Sequence, residues 1–164
     1  MEKTDRSLDT LRNEIDSIDT EILELLNKRA RFVLEIGETK KKEQMEFYVP
    51  EREQAVLRRL VERNAGPFPD KALKNVFREI MSASLSLEKP LKAAFLGPVA
   101  TFTHQACMQH FGGSGEFVPK KDIADVFDDV EKGRADFGVV PIENSTEGVV
   151  SHTLDLFVSS SLKI

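Results

Sequence analysis

Arg29 stands in an apolar row where the repeat calls for an aliphatic side chain, and Lys40 lies 11 residues further on nearly the same helical face. At helical rise the two are about 16 Å apart along the axis, a separation from which two long cationic side chains can converge on one small anion. Arg52 and Glu53 open a second helical stretch, and Ser84 and Glu88 stand at i, i+4 spacing in the apolar stripe of a third. A single seam charge reads more simply as a structural ion pair or a register device. Arg, Lys, Arg-Glu and Ser-x-x-x-Glu presented inward together favour a polar pocket with a cationic excess, suited to a small substrate with more than one carboxylate. A second group of polar residues follows later. Thr101, Thr103 and His104 come just after the apolar run ending at Leu96, and Glu143-Asn144-Ser145-Thr146-Glu147-Gly148 follows the run ending at Val140. Singly these are helix caps and turn residues; together, at strand ends, they resemble a small-anion site. Cys107 stands alone, so the sequence offers no internal disulfide and no cysteine cluster for zinc, and a packing role is the simpler reading.

Helices must position the first group. Leu8, Leu11, Ile15, Ile18, Ile22, Leu25, Phe32 and Ile36 recur at alternating intervals of three and four, which predicts one long helix over residues 7–43, roughly 50 Å in length. Such a helix cannot fold back on itself and needs partners, either later helices or a second copy of the chain. Pro50 suits the first turn of a second helix, with Val56, Leu57, Leu60 and Val61 at helical spacing until Asn64-Ala65-Gly66-Pro67 stops it. Asp70 is expected to cap a third, whose buried face is Leu73, Val76, Phe77, Ile80, Met81 and Leu85. Beyond Pro90 the period changes. Strands at 92–96, 117–118 and 137–140 alternate with helices at 103–111 and 123–131, an order that implies a parallel sheet. A further helix is expected at 149–156, and a strand is expected to begin at Leu162-Lys163-Ile164. The predicted fold class is therefore multi-domain: an all-α three-helix domain over 1–90, with a core that a dimer would complete, followed by an incomplete α/β lobe over 91–164.

The 164 residues carry a net charge of −5, and Lys+Arg against Asp+Glu up to Pro90 is 17 against 18. This balance argues against a nucleic-acid or membrane-surface protein, although nine of ten arginines lie before Pro90. With no basic excess those arginines matter only individually; a resemblance to a known family implicates Arg12, Arg29 and Arg52, and the others read as solvated surface. No signal peptide or spanning segment is read, and the expected compartment is the cytosol.

Leu11-Arg12, the turn from Leu26 to Arg29, Glu35-Ile36-Gly37 with Lys40, Pro50-Glu51-Arg52-Glu53 and the stretch from Phe77 to Glu88 resemble the all-helical chorismate mutase family over residues 7–89. The resemblance implies an intertwined homodimer that converts chorismate to prephenate by an intramolecular Claisen rearrangement, with neither cofactor nor metal. It implies that Arg12 and Arg29 clamp the two carboxylates, that Lys40 donates to a carboxylate and the ether oxygen, and that Arg52 and Glu53 order the polar side, Glu53 holding the ring hydroxyl. Ser84 would support a carboxylate contact, and Glu88 would serve the ether oxygen. Arg12 and Arg29 are 17 residues apart, about 25 Å along one helix, so Arg12 would come from the partner subunit. Some members carry Asp where this chain has Val49, and glutamine where it has Glu88. A carboxylate cannot donate a hydrogen bond to the ether oxygen, so Glu88 is expected to act protonated.

Gly97-Pro98-Val99-Ala100-Thr101-Phe102-Thr103-His104-Gln105-Ala106 and Val139-Val140-Pro141-Ile142-Glu143-Asn144-Ser145-Thr146-Glu147-Gly148 closely resemble the catalytic domain of the prephenate dehydratase family. This implies a periplasmic-binding-protein-like lobe, with prephenate bound by Thr101, Thr103, Glu143, Asn144, Ser145 and Thr146. The order, mutase then dehydratase, is that of a bifunctional family of phenylalanine biosynthesis. A second lobe with its Thr-Arg-Phe motif is absent from these residues, so mutase activity without dehydratase activity is expected. The alternative is a non-catalytic helical dimerisation module joined to a small-anion-binding α/β lobe, which would tolerate Arg29→Leu.

Overall fold

The computed structural model describes residues 6–45, 47–144 and 148–164, with the backbone alone for Asn144 and Val149. The chain divides into two units, Met1–Met45 and Glu46–Ile164.

The first unit is helix α1, Leu8–Glu43. Ser7 starts it in extended backbone, its hydroxyl accepting a hydrogen bond from the Thr10 N–H at 3.2 Å. Asp9 in the first turn and Lys40, Lys41 and Lys42 in the last complement the helix dipole, and Gln44 in the left-handed region closes the end. Val33 and Gly37 are buried. Leu11, Ile15, Ile18 and Ile22 stay 40%, 57%, 53% and 48% exposed, so much of the predicted apolar row is uncovered within a single chain.

In the second unit, helix α2 spans Pro50–Glu62 and helix α3 spans Asp70–Glu88, and the two pack together. Pro50 lies in the first turn of α2, where its missing N–H costs nothing. Asp70 does not cap α3 as expected: Pro69 holds the cap position, and Asp70 lies within the first turn. Its carboxylate accepts from the Asn64 amide at 2.6 Å, which uses the side chain to hold the loop between the helices.

Strand β1, Lys92–Leu96, follows almost directly, then helix α4, Phe102–Phe111, strand β2, Glu116–Lys120, helix α5, Ile123–Glu131, and strand β3, Phe137–Val139. The sheet is parallel with order β2-β1-β3, and Ala94 of the central strand pairs with Val118 on one side and Gly138 on the other. Both faces of β1 are covered, which is why its sequence is continuously apolar rather than alternating. Ala93 and Phe95 join Cys107 and Phe111 in one core cluster, and Ala94 joins Val126 and Ala135 in another. Tyr48 and Leu85, from before α2 and from α3, pack against the first of these clusters.

Strand β4, Glu143–Asn144, and strand β5, Gly148–Val149, form an antiparallel pair that the sequence reading did not anticipate. Helix α6 runs Ser151–Ser159, starting two residues later than expected. The strand expected at Leu162-Lys163-Ile164 is not formed: these residues are irregular, since a strand exists only through a paired neighbour and no described strand pairs with them.

Candidate active site

Arg12, Arg29 and Lys40 all lie on α1. Arg12 is exposed, with Asp9 at 3.7 Å in a loose pair, whereas Arg29 and Lys40 are half-buried. The other candidates belong to the second unit. Arg52 is exposed in the first turn of α2, and Glu53 beside it is half-buried. Burial raises the carboxyl pKa of Glu53 above its ordinary value, against the pull of the Arg78 guanidinium. Ser84 is buried on α3, and its hydroxyl donates to the Ile80 carbonyl at 2.6 Å. To donate to a ligand carboxylate it must swing off that carbonyl. Glu88, half-buried, ends α3 one turn further along the same face.

Two residues that the sequence reading passed over belong to this region. Arg78, expected as solvated surface, is half-buried and acts on Glu53. Tyr48, the chain's one tyrosine, is pushed up to about 12 by burial and by the charge of Glu53, relieved in part by Arg78. Its ring stands edge-on to Phe111 at 5.9 Å and to Phe137 at 5.3 Å, and its hydroxyl lies 3.5 Å from His110 Nε2. A lone tyrosine two residues before a helix-opening proline was the available signal. Beside it is a cavity of about 470 Å³, lined by Tyr48, Pro50, Leu85, Leu91 and Phe137, with Lys89 and Asp136 among its walls.

In the α/β segment, β1 and β3 run parallel as neighbours, so their carboxyl ends share one edge of the sheet. Thr101 caps α4, and the hydroxyls of Thr101 and Thr103 lie 3.0 Å apart. Thr101 donates to the Pro98 carbonyl at 2.9 Å and Thr103 to the Leu96 carbonyl, so both hydroxyls brace the loop leaving β1. His104 Nδ1 accepts from the N–H of Ala100, whose φ of 66° is left-handed, and its ring stacks on Phe95 at 5.0 Å. Glu143 is exposed on β4, and the Asn144 backbone pairs with Gly148. Ser145 and Thr146 lie outside the described residues. Between the ends of β1 and β2 is a second cavity of about 450 Å³, lined by Gly97, Pro98, Val99, Pro119, Lys120 and Lys121. This lysine pair at a strand's carboxyl end was legible in the sequence and was passed over. Cys107 packs in the core, its thiol pushed up to about 11 by burial. Among the described residues no group of His, Cys, Asp and Glu could hold a metal ion, and no helix is long and apolar enough to cross a membrane.

The family model for chorismate mutase type II matches residues 11–89, and that for prephenate dehydratase matches residues 93–164. A bifunctional chorismate mutase/prephenate dehydratase of Aquifex aeolicus is 52% identical over 161 residues, covering 96% of this chain. That of Escherichia coli is 30% identical over 171 residues, covering 94% of this chain. The chain spans about 44% of the length of each of these curated relatives. Among solved structures, a chorismate mutase of Thermus thermophilus is 43% identical, with 50% of this chain and 93% of that chain covered and a TM-score of 0.49. The chain belongs to the chorismate mutase type II family over residues 11–89 and to the prephenate dehydratase family over residues 93–164.

Proposed function

We propose that residues 1–90 form a chorismate mutase domain that rearranges chorismate to prephenate, and that residues 91–164 supply part of a prephenate site in a bifunctional enzyme of phenylalanine biosynthesis acting in the cytosol. The observation that carries this reading is the chorismate mutase type II match over residues 11–89, which includes every cationic, carboxylate and hydroxyl group assigned to the substrate. The rearrangement is unimolecular and pericyclic: the ether C–O bond breaks as a C–C bond forms, with no proton or electron exchanged with the protein. The side chains therefore act by holding the compact chair conformer and by stabilising charge that appears on the ether oxygen. Arg29 and the partner's Arg12 grip the two carboxylates, Lys40 and protonated Glu88 donate toward the ether oxygen, Glu53 accepts from the ring hydroxyl, and Arg52 and Ser84 support the polar contacts.

A homodimer with shared sites completes this arrangement. The exposed apolar row of α1 supports it, because a second copy of the same helix offers the complementary seam. In the α/β segment, Thr101, Thr103, Glu143, Asn144, Ser145 and Thr146 are proposed to bind prephenate.

Loss of chorismate absorbance on adding the purified chain tests the mutase reading directly, since the reaction needs no partner enzyme. Arg29→Leu separates it from the non-catalytic alternative. The mutase reading expects the folded variant to lose turnover; a helical module without catalysis shows no turnover in the parent chain and tolerates the substitution.

A further inference from the structure

Two sides of α3 carry different groups. At about 100° per residue, Ser84 and Glu88 lie within about 40° of each other, while Glu79, Ser82 and Lys89 lie between about 120° and 160° around the axis from that pair. The second side is held to the α/β segment. Glu79 Oε2 accepts from the Gly113 N–H at 2.9 Å, and Ser82 Oγ accepts from the Ser114 N–H at 3.2 Å. The Lys89 ammonium meets the Asp136 carboxylate at 2.6 Å, and the other oxygen of that carboxylate accepts from the Lys92 N–H at 2.9 Å. The approach is close. Gly112 has a φ of +75°, and a methyl group there would stand 2.4 Å from Ser82 Cβ.

The bonds from Glu79 and Ser82 end on backbone N–H groups of the turn after α4, so they fix how far α3 can rotate about its own axis. A rotation of about 15° would carry a side-chain tip about 1.5 Å sideways at the outer radius of a helix. Displacement on that scale is enough to cost on the order of a hundredfold in a reaction that depends on positioning.

We propose that the α/β segment braces the mutase site: Glu79 and Ser82, bonded to the turn at Gly113 and Ser114, are positioning residues that set the rotation of α3 and hence the aim of Ser84 and Glu88. The proposal rests on the mutase reading and adds a role for the dehydratase-family segment in the first reaction. Neither Glu79 nor Ser82 is assigned a contact with substrate.

The test compares the parent chain, the double variant Glu79→Ala/Ser82→Ala, and Glu79→Gln, which keeps a carbonyl to accept from Gly113. All are assayed with chorismate well below their unfolding temperatures. The double variant is expected to raise KM and to lower kcat/KM by about ten- to a hundredfold, with faster amide exchange across Ser84–Glu88. Glu79→Gln is expected to stay within about twofold. If the double variant fails to fold, Glu79→Ala and Ser82→Ala singly carry the same expectation for KM. Parental KM and kcat in the folded variants would overturn the brace. So would a fall in kcat alone that tracks the folded fraction measured by circular dichroism, because that reports stability without positioning. A parent chain without chorismate turnover removes the mutase reading itself, and the brace with it.

Discussion

Lys40 and Glu88 are assigned to the same developing charge, but only Lys40 arrives as a permanent donor. Lys40→Ala is expected to cost about 3 kcal/mol of transition-state stabilisation, roughly a hundredfold in turnover, in a protein of unchanged helicity; full turnover in a folded variant would remove that role. Glu88→Gln keeps a donor toward the ether oxygen and is expected to retain turnover, whereas Glu88→Ala is expected to lose about a hundredfold. Full turnover in a folded Glu88→Ala protein would contradict the assignment. Glu53 poses the opposite problem, a charge that burial disfavours. Its raised pKa means the stability of the neutral form is fully present below the ordinary carboxylate range and is lost as pH rises through the folded value. The thermal midpoint of Glu53→Gln, measured at pH 4 and pH 8, should therefore gain most over the parent at pH 8. Arg29 was legible as a candidate because it breaks the apolar repeat in its own neighbourhood. Arg78 was not, because what makes it notable is Glu53 on another helix, and no local pattern announces that.

At the scale of elements, most helices and the parallel strands β1 and β3 follow the sequence expectations closely, and the β4–β5 pair and Leu162-Lys163-Ile164 do not. The start of α2 follows from Pro50 and the apolar period after it, both local signals. The β4–β5 pair and the irregular Leu162-Lys163-Ile164 depend on which backbone stands alongside, which one sequence window does not contain. The α5 region offers two stability tests. The Asp129 carboxylate, 5% exposed, receives Lys120 from β2 and Arg134 at 2.7 Å. The Lys120 hydrogen bond, opposed by burial and aided by Arg134, holds its pKa below the usual carboxylate range. Stability from this cluster is thus present above that range and lost as pH falls through the depressed value. Asp129→Asn should lower the thermal midpoint at pH 7, with the difference from the parent shrinking toward pH 3. Gly138 lies beneath the same helix, and a Cβ there would stand 2.9 Å from Val126 Cγ1. Gly138→Ala is expected to cost about 1–3 kcal/mol of unfolding free energy in urea, because the sheet and α5 must separate to admit the methyl group.

For the molecule as a whole, the shared-site proposal has a complementation test. Arg12→Ala and Arg29→Ala proteins should each be inactive as homodimers. Unfolded together, refolded and mixed equally, they should recover about a quarter of parental turnover, since half the dimers are mixed and each of these holds one intact site. No recovery, with mixed dimers demonstrated by mass, would place both arginines in the same site half. The division between helical and sheet segments was visible in composition, as arginines gave way to glycines near Pro90. How firmly the segments are joined was not visible, because Glu79, Ser82 and Leu85 look like ordinary residues of an amphipathic helix until the turn at Gly112 is set against them. Only Lys89, Pro90 and Leu91 separate α3 from β1, the central strand of the sheet. So short a joint, stiffened by proline, is a splice and has no slack to act as a tether: movement at the end of α3 is handed directly to the strand from which the rest of the sheet is built.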